Sequence, residues 1–196
     1  MQPPRAPTIA QIAGEYRLRF AGLDLSLAPT PGPEQSIGRA FERLAGGPFG
    51  TGGTLAMAAF FTGALRAAQV PRTGFSGLML PVLEDEVLAA SAAAGLIDVH
   101  SLLLFSAVCG LGLDTVPLPG DATPAQLAGV IADMAALAVR LDKPLTARLM
   151  PAPGKAAGDP VAWDFFSVGQ GRVLPLRPHT PGLLDTALAA GEMLLL

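Results

Sequence analysis

Four short apolar stretches recur along the chain, and each ends in the same way: LDLSLAPTPG (23–32), SGLMLPV (76–82), LDTVPLPG (113–120) and TARLMPAPG (146–154). Proline cannot donate to a strand ladder, so each stretch reads as a buried strand that stops at a rigid turn. Between them apolar residues recur at helical spacing, which predicts helices over 35–44, 54–69, 84–95, 98–109 and 123–142. The last has the clearest start, with Thr123 as N-cap, Pro124 at the first helical position and Gln126 completing a capping box. On 54–69 and 123–142 only a thin polar stripe interrupts the apolar surface. After Lys155 the runs VAWDFFSV and GRVLPL predict a hairpin or two edge strands around Gly169–Gly171.

Strands alternating with long helices imply parallel pairing through right-handed crossovers, an α/β class fold with both sheet faces covered. A short echo, GLDLSLAPTPG from Gly22 against GLDTVPLPG from Gly112, suggests two similar half-units and equates Asp24 with Asp114. The expected organisation is an irregular N-terminal segment over 1–17, an α/β domain over 18–175 and a C-terminal extension over 176–196.

Composition adds one clue. Hydrophobic residues make up 51% of the 196, and charged residues only 15%, against about 25% in an ordinary soluble domain. A domain so poor in charge is expected to bury part of its exterior against another subunit or a further part of the fold. Membrane insertion does not explain the shortage: the charge-free stretch 44–65 is broken by Pro48 and glycines, and 100–113 is too short. The N-terminus lacks the apolar core of a signal peptide, and Cys109 stands alone, so a cytoplasmic location is expected. A net charge of -3 with one tryptophan and one tyrosine gives no surface for nucleic acid.

The runs DLSLAPTP, FGTGGTLAMAAFF, GFSGLMLPVLEDEVLAA, LLLFSAVCGLGLDTVPLPGD and LDKPLTARLMPAPGKAAGD together resemble the domain of unknown function 711 family, over about residues 20–175. The resemblance implies a fold related to that of pyruvate formate-lyase and ribonucleotide reductase, whose core is a ten-stranded α/β barrel, and it brings no activity or cofactor with it. Members are expected to be about twice this length, and the chain resembles their C-terminal half. It would then supply about half of the barrel, as a fragment, a split product or a subunit completed by a copy of itself or a partner chain.

Candidate chemistry falls in three places. GPFGTGGT (47–54) nearly fits a phosphate-binding loop, but Gly53 stands where the lysine belongs; Gly52, Gly53 and Thr54 at the helix N-terminus could seat an anion, or the loop is a tight turn that lets helices pack closely. Cys109 invites comparison with the thiyl radicals of the fold relatives, but its place at a helix C-terminus disfavours a thiolate and suits a buried thiol. Strand alternation puts Asp24 and Ser26 on one face of the first strand and Thr146 and Arg148 on one face of the fourth. Asp24, Asp114 and Arg148, with Glu84, Asp85, Asp121 and Lys155 on the loops, could surround a small anionic substrate or hold a divalent metal through Asp24 and Asp114; Arg148 could equally be a buried ion-pair partner. Glu84, Asp85 and Glu86 could equally do no more than open a helix and complement its dipole.

Overall fold

The structure, a computed structural model, describes residues 8–30, 32–165, 168–179 and 182. The C-terminal extension lies almost entirely outside the described residues. In chain order the elements are α1 (Ile9–Glu15), α2 (Ile37–Ala45), α3 (Thr54–Ala67), α4 (Glu86–Ala93), α5 (Val99–Ser106), β1 (Gly112–Pro119), α6 (Pro124–Arg140), β2 (Thr146–Ala152), β3 (Pro160–Phe165) and β4 (Val168–Arg172).

The five expected helices form with ends shortened or shifted by a few residues, and α6 has the capping box read from Thr123 and Gln126. An unexpected helix, α1, occupies part of the segment read as irregular. Thr8 and Gln11 build a capping box for it, yet none of its residues is buried, so local capping rather than packing shapes it.

Of the four expected strands, two become a ladder: β1 pairs with β2 in parallel. The other two run alongside as extended segments held by isolated parallel bridges, Leu23 with Arg72, Leu27 with Leu78 and Pro81 with Asp114. The four therefore lie side by side in chain order, with helices in the crossovers. The arrangement is mixed α/β, and no closed barrel forms among the described residues.

The main core packs Phe41, Phe49 and Phe105 with Leu78, Leu88, Leu113, Val116 and Leu118. Phe49 meets Phe41 and Phe105 edge-to-face at ring separations of 5.1 and 5.8 Å. Asp85, buried, joins α2 to α4: it accepts from Val87 and Leu88 N–H as the N-cap of α4, and from Ser36 Oγ and Gly38 N–H at the start of α2. Its role is thus more than the dipole complement expected of an acidic helix start.

A smaller core of Leu83, Ala152, Val161 and Val173 seats the antiparallel hairpin β3–β4. The hairpin forms as expected, but its glycines lie inside β4 instead of forming the turn. Gly171 passes so close to Leu83, just before α4, that a Cβ there would come within 2.5 Å of Leu83 Cδ2.

On its far side β2 has no partner among the described residues, and Thr146, Ala147 and Arg148 are exposed. Thr146 N–H donates inward to Leu111. Regular alternation then turns Ala147, Leu149 and Pro151 outward, and Pro151 has no N–H to offer.

Candidate functional site

Arg148 lies at the centre of a polar cluster that the strand residues build together with Glu84. Its Nε donates to Asp114 Oδ1 at 2.6 Å and its Nη2 to Glu84 Oε1 at 2.8 Å, while Nη2 also contacts Asp114. The exposures are unequal: the Asp114 side chain is 3% exposed, Glu84 17% and Arg148 53%.

This geometry arises from an irregularity in β1. Leu113 pairs with Ala147 and Val116 with Leu149, so Asp114 and Thr115 together oppose Arg148. Such a bulge re-aims the side chains around it. Thr115 takes φ 42 to make the turn, a left-handed conformation that costs a β-branched residue about 1–3 kcal/mol. It is held there by accepting Leu83 N–H on Oγ1 at 3.2 Å, while Val82 N–H donates to Asp114 O. These two bonds bring the end of the second segment, and so Glu84, up to the bulge.

Burial lifts Asp114 above the usual carboxylate range, more than the Arg148 guanidinium draws it down. Glu84 rises for the same reason, with Arg148 opposing and the Asp114 charge adding to it. Burial works against the Arg148 charge, but Asp114 and then Glu84 outweigh it and hold the guanidinium above its ordinary value. The cluster forms one wall of a cavity of about 550 Å³ whose other walls are largely apolar, from Phe75, Met79, Pro81 and Leu111.

Asp24 does not join it. Its Oδ1 accepts from Ser26 N–H at 2.9 Å, Ser26 Oγ at 2.6 Å and Ser76 N–H at 3.0 Å, and the Ser26 bonds in particular hold the carboxyl below its usual range. Asp24 thus ties the first segment to the 73–77 loop, whereas Asp114 sits beside Pro81. The echo that equates the two carboxylates does not survive the register. Among the described residues no three His, Cys, Asp or Glu side chains are grouped to hold a metal.

Asp121 and Lys155 are exposed on loops beyond the C-terminal ends of the strands, where Lys155 contributes its carbonyl to Gly120 N–H. Cys109 is buried, and its Sγ accepts from Gly112 N–H at 3.3 Å. In the glycine loop the Thr54 hydroxyl accepts from Gly50 N–H and donates to Thr51 O. A Cβ on Gly50 would come within 2.7 Å of Ile97 Cγ2, so close packing accounts for that glycine.

Of the loop carboxylates that the sequence offered for the polar centre, Glu84 joins the cluster and Asp85 does not, and the bond from Arg148 to Glu84 was not foreseen. One signal was present: Asp114 and Thr115 are adjacent polar residues inside an apolar strand, the pattern of a bulge.

The family model described as Uncharacterised ACR (DUF711) matches residues 6–165. A UPF0210 protein of Pyrobaculum arsenaticum is 40% identical over 81% of this chain and 35% of its own length. Similar proteins of Desulfovibrio desulfuricans (35% identical, covering 85% of this chain and 37% of the relative) and Lactiplantibacillus plantarum (34% identical, 88% and 40%) are also called UPF0210. The chain therefore spans well under half the length of these relatives, less than the half expected. No solved structure matches at comparable stringency. With four-fifths of its length aligned to relatives at this level of identity, the chain belongs to the uncharacterised DUF711 family.

Proposed function

We propose that the protein binds a small polar molecule in the cavity beside Arg148. The observation that carries this reading is a guanidinium fixed on one side by Asp114 and Glu84 and open on the other to an otherwise apolar space, the composition typical of ligand sites. Two carboxylates around one guanidinium sum to -1 when all are ionised. The charge favours a neutral hydroxylated or a cationic ligand over the anionic one suggested by the sequence, and an anion would bind only with a carboxyl protonated. Calorimetric titration with a panel of small polyols, amines and carboxylates tests the reading. Arg148→Met should abolish the heat from a polyol and strengthen that from an amine, and equal binding by parent and variant would refute the site.

A second reading has its own support: the chain is one part of a larger sheet completed by another chain or copy. Phe60, Leu104, Ile131 and Val139 expose apolar surface on the helices, β2 is open on one side, and the relatives are much longer. With Pro151 turned outward, an added strand would find donors only at Ala147 and Leu149. Sedimentation at high concentration should show self-association or aggregation of the isolated chain. A well-behaved monomer would count against this reading while leaving the cavity untouched.

A further inference from the structure

At the N-terminal ends of the strands, three cations line one cavity of about 320 Å³: Arg66 from α3, Arg72 before the second segment and Lys143 before β2. No carboxylate lines it, and among the described residues none of the three takes part in an ion pair. Part of their charge has a local explanation. Lys143 Nζ donates to Ser106 O at 2.9 Å and to Cys109 O, at and just past the end of α5, and Arg72 Nη1 reaches Leu65 O near the end of α3 at 3.5 Å.

A helix C-terminus carries about half a negative charge, so two of them leave an excess of about two positive charges. Burial holds Lys143 below the usual lysine range; Cys109 opposes this, and Arg66 adds to it by like-charge repulsion. The convergence of the three cations on one cavity that no carboxylate lines is the telling part, and an anion among them would offset their excess charge. Thr73 and the backbone of the 73–77 loop complete the wall, and Phe75 separates this cavity from the one beside Arg148.

We propose that this cavity binds a phosphate group, free or carried by a small metabolite. Three convergent cations on a chain of net charge -3 concentrate positive potential where long-range steering of anions is otherwise unfavourable. The size is at the lower end of ligand cavities and leaves room for more than inorganic phosphate.

The test is a titration of the full chain with inorganic phosphate and, separately, with glycerol phosphate, followed by amide chemical shifts at 73–77 and 109–110. Both should shift those amides in the millimolar range or below, with affinity falling as salt rises. Tighter binding of the ester assigns the site to a metabolite, and equal binding assigns it to free phosphate. Arg66→Gln combined with Arg72→Gln changes two exposed residues; with an unchanged melting temperature, it should weaken binding by about tenfold or more. Absence of shifts up to about 10 mM of either ligand, or binding unaltered in the double variant, would overturn the proposal.

Discussion

Arg148 stands across the β1–β2 ladder from Asp114 where β1 carries its extra residue, and the half-exposed guanidinium is the partner of a carboxylate that is almost wholly buried. Replacing Arg148 by Ala removes this partner and leaves Asp114 to be ionised without compensation. The expected cost at neutral pH is about 1–3 kcal/mol, or several degrees in melting temperature for a chain of this size. Arg148→Met keeps the volume without the charge and should not restore the loss. An unchanged melting temperature in both variants would show that the pair contributes nothing to stability.

Stability should respond to pH through the same cluster. Asp114 and Glu84 have raised folded values, so the native state holds their protons more tightly than the unfolded chain does. Their contribution is full below about pH 4 and is lost as pH rises through the folded values. Asp24 and Asp98, both lowered, act in the opposite direction and lose their contribution as pH falls. Asp114→Asn should therefore gain on the parent protein as pH rises from about 4 to 7, measured by urea unfolding. A gap that stays flat or closes would contradict the raised value.

Asp85 is the most demanding single position outside the cavity. Its carboxylate accepts from Ser36, Gly38, Val87 and Leu88 and so holds the starts of two helices together. Asp85→Ala should lower stability by about 3 kcal/mol or more, since several buried donors lose a charged acceptor. Asp85→Asn should cost less, because one acceptor oxygen remains. Equal urea midpoints for the two variants would indicate that the contacts act through space filling alone.

Gly77 and Gly110 cross with their backbones in contact. A Cβ on Gly110 would lie 2.3 Å from Gly77 Cα, and one on Gly77 would lie 2.4 Å from Gly110 Cα. No flexible side chain can yield there, so Gly110→Ala and Gly77→Ala should each prevent normal folding. Circular dichroism showing a cooperative, parent-like transition in either variant would rule out so close an approach.

What could be read in advance depended on whether the signal was local. Helices such as α6 announce themselves through capping residues and apolar spacing, and the apolar, proline-terminated runs mark the four extended segments, because both are properties of contiguous residues. The pairing of Asp114 with Arg148 followed from placing both on parallel strands. Glu84 was offered only as one of several loop carboxylates, and its pairing with Arg148 was not legible because its position is set by Leu83 N–H reaching Thr115 across the sheet, a long-range contact. Asp24 was misplaced for the complementary reason: a repeated motif says nothing about register, and register put Asp24 beside Ser76. Lys143 gave no sign at all, since only the folded crossovers bring it near Arg66.

The four extended segments lie beside one another in the order in which the chain presents them. Each needs only its predecessor and the intervening helices before it can dock. A ribosome releasing the chain from its N-terminus therefore exposes, at each stage, an edge waiting for the next of the four segments, and bonds such as Leu174 N–H to Pro117 O are added afterwards from beyond them. Growth by accretion keeps loop closures short, and it leaves β2, the last of the four to be made, as the surface at which any further chain would continue the same process.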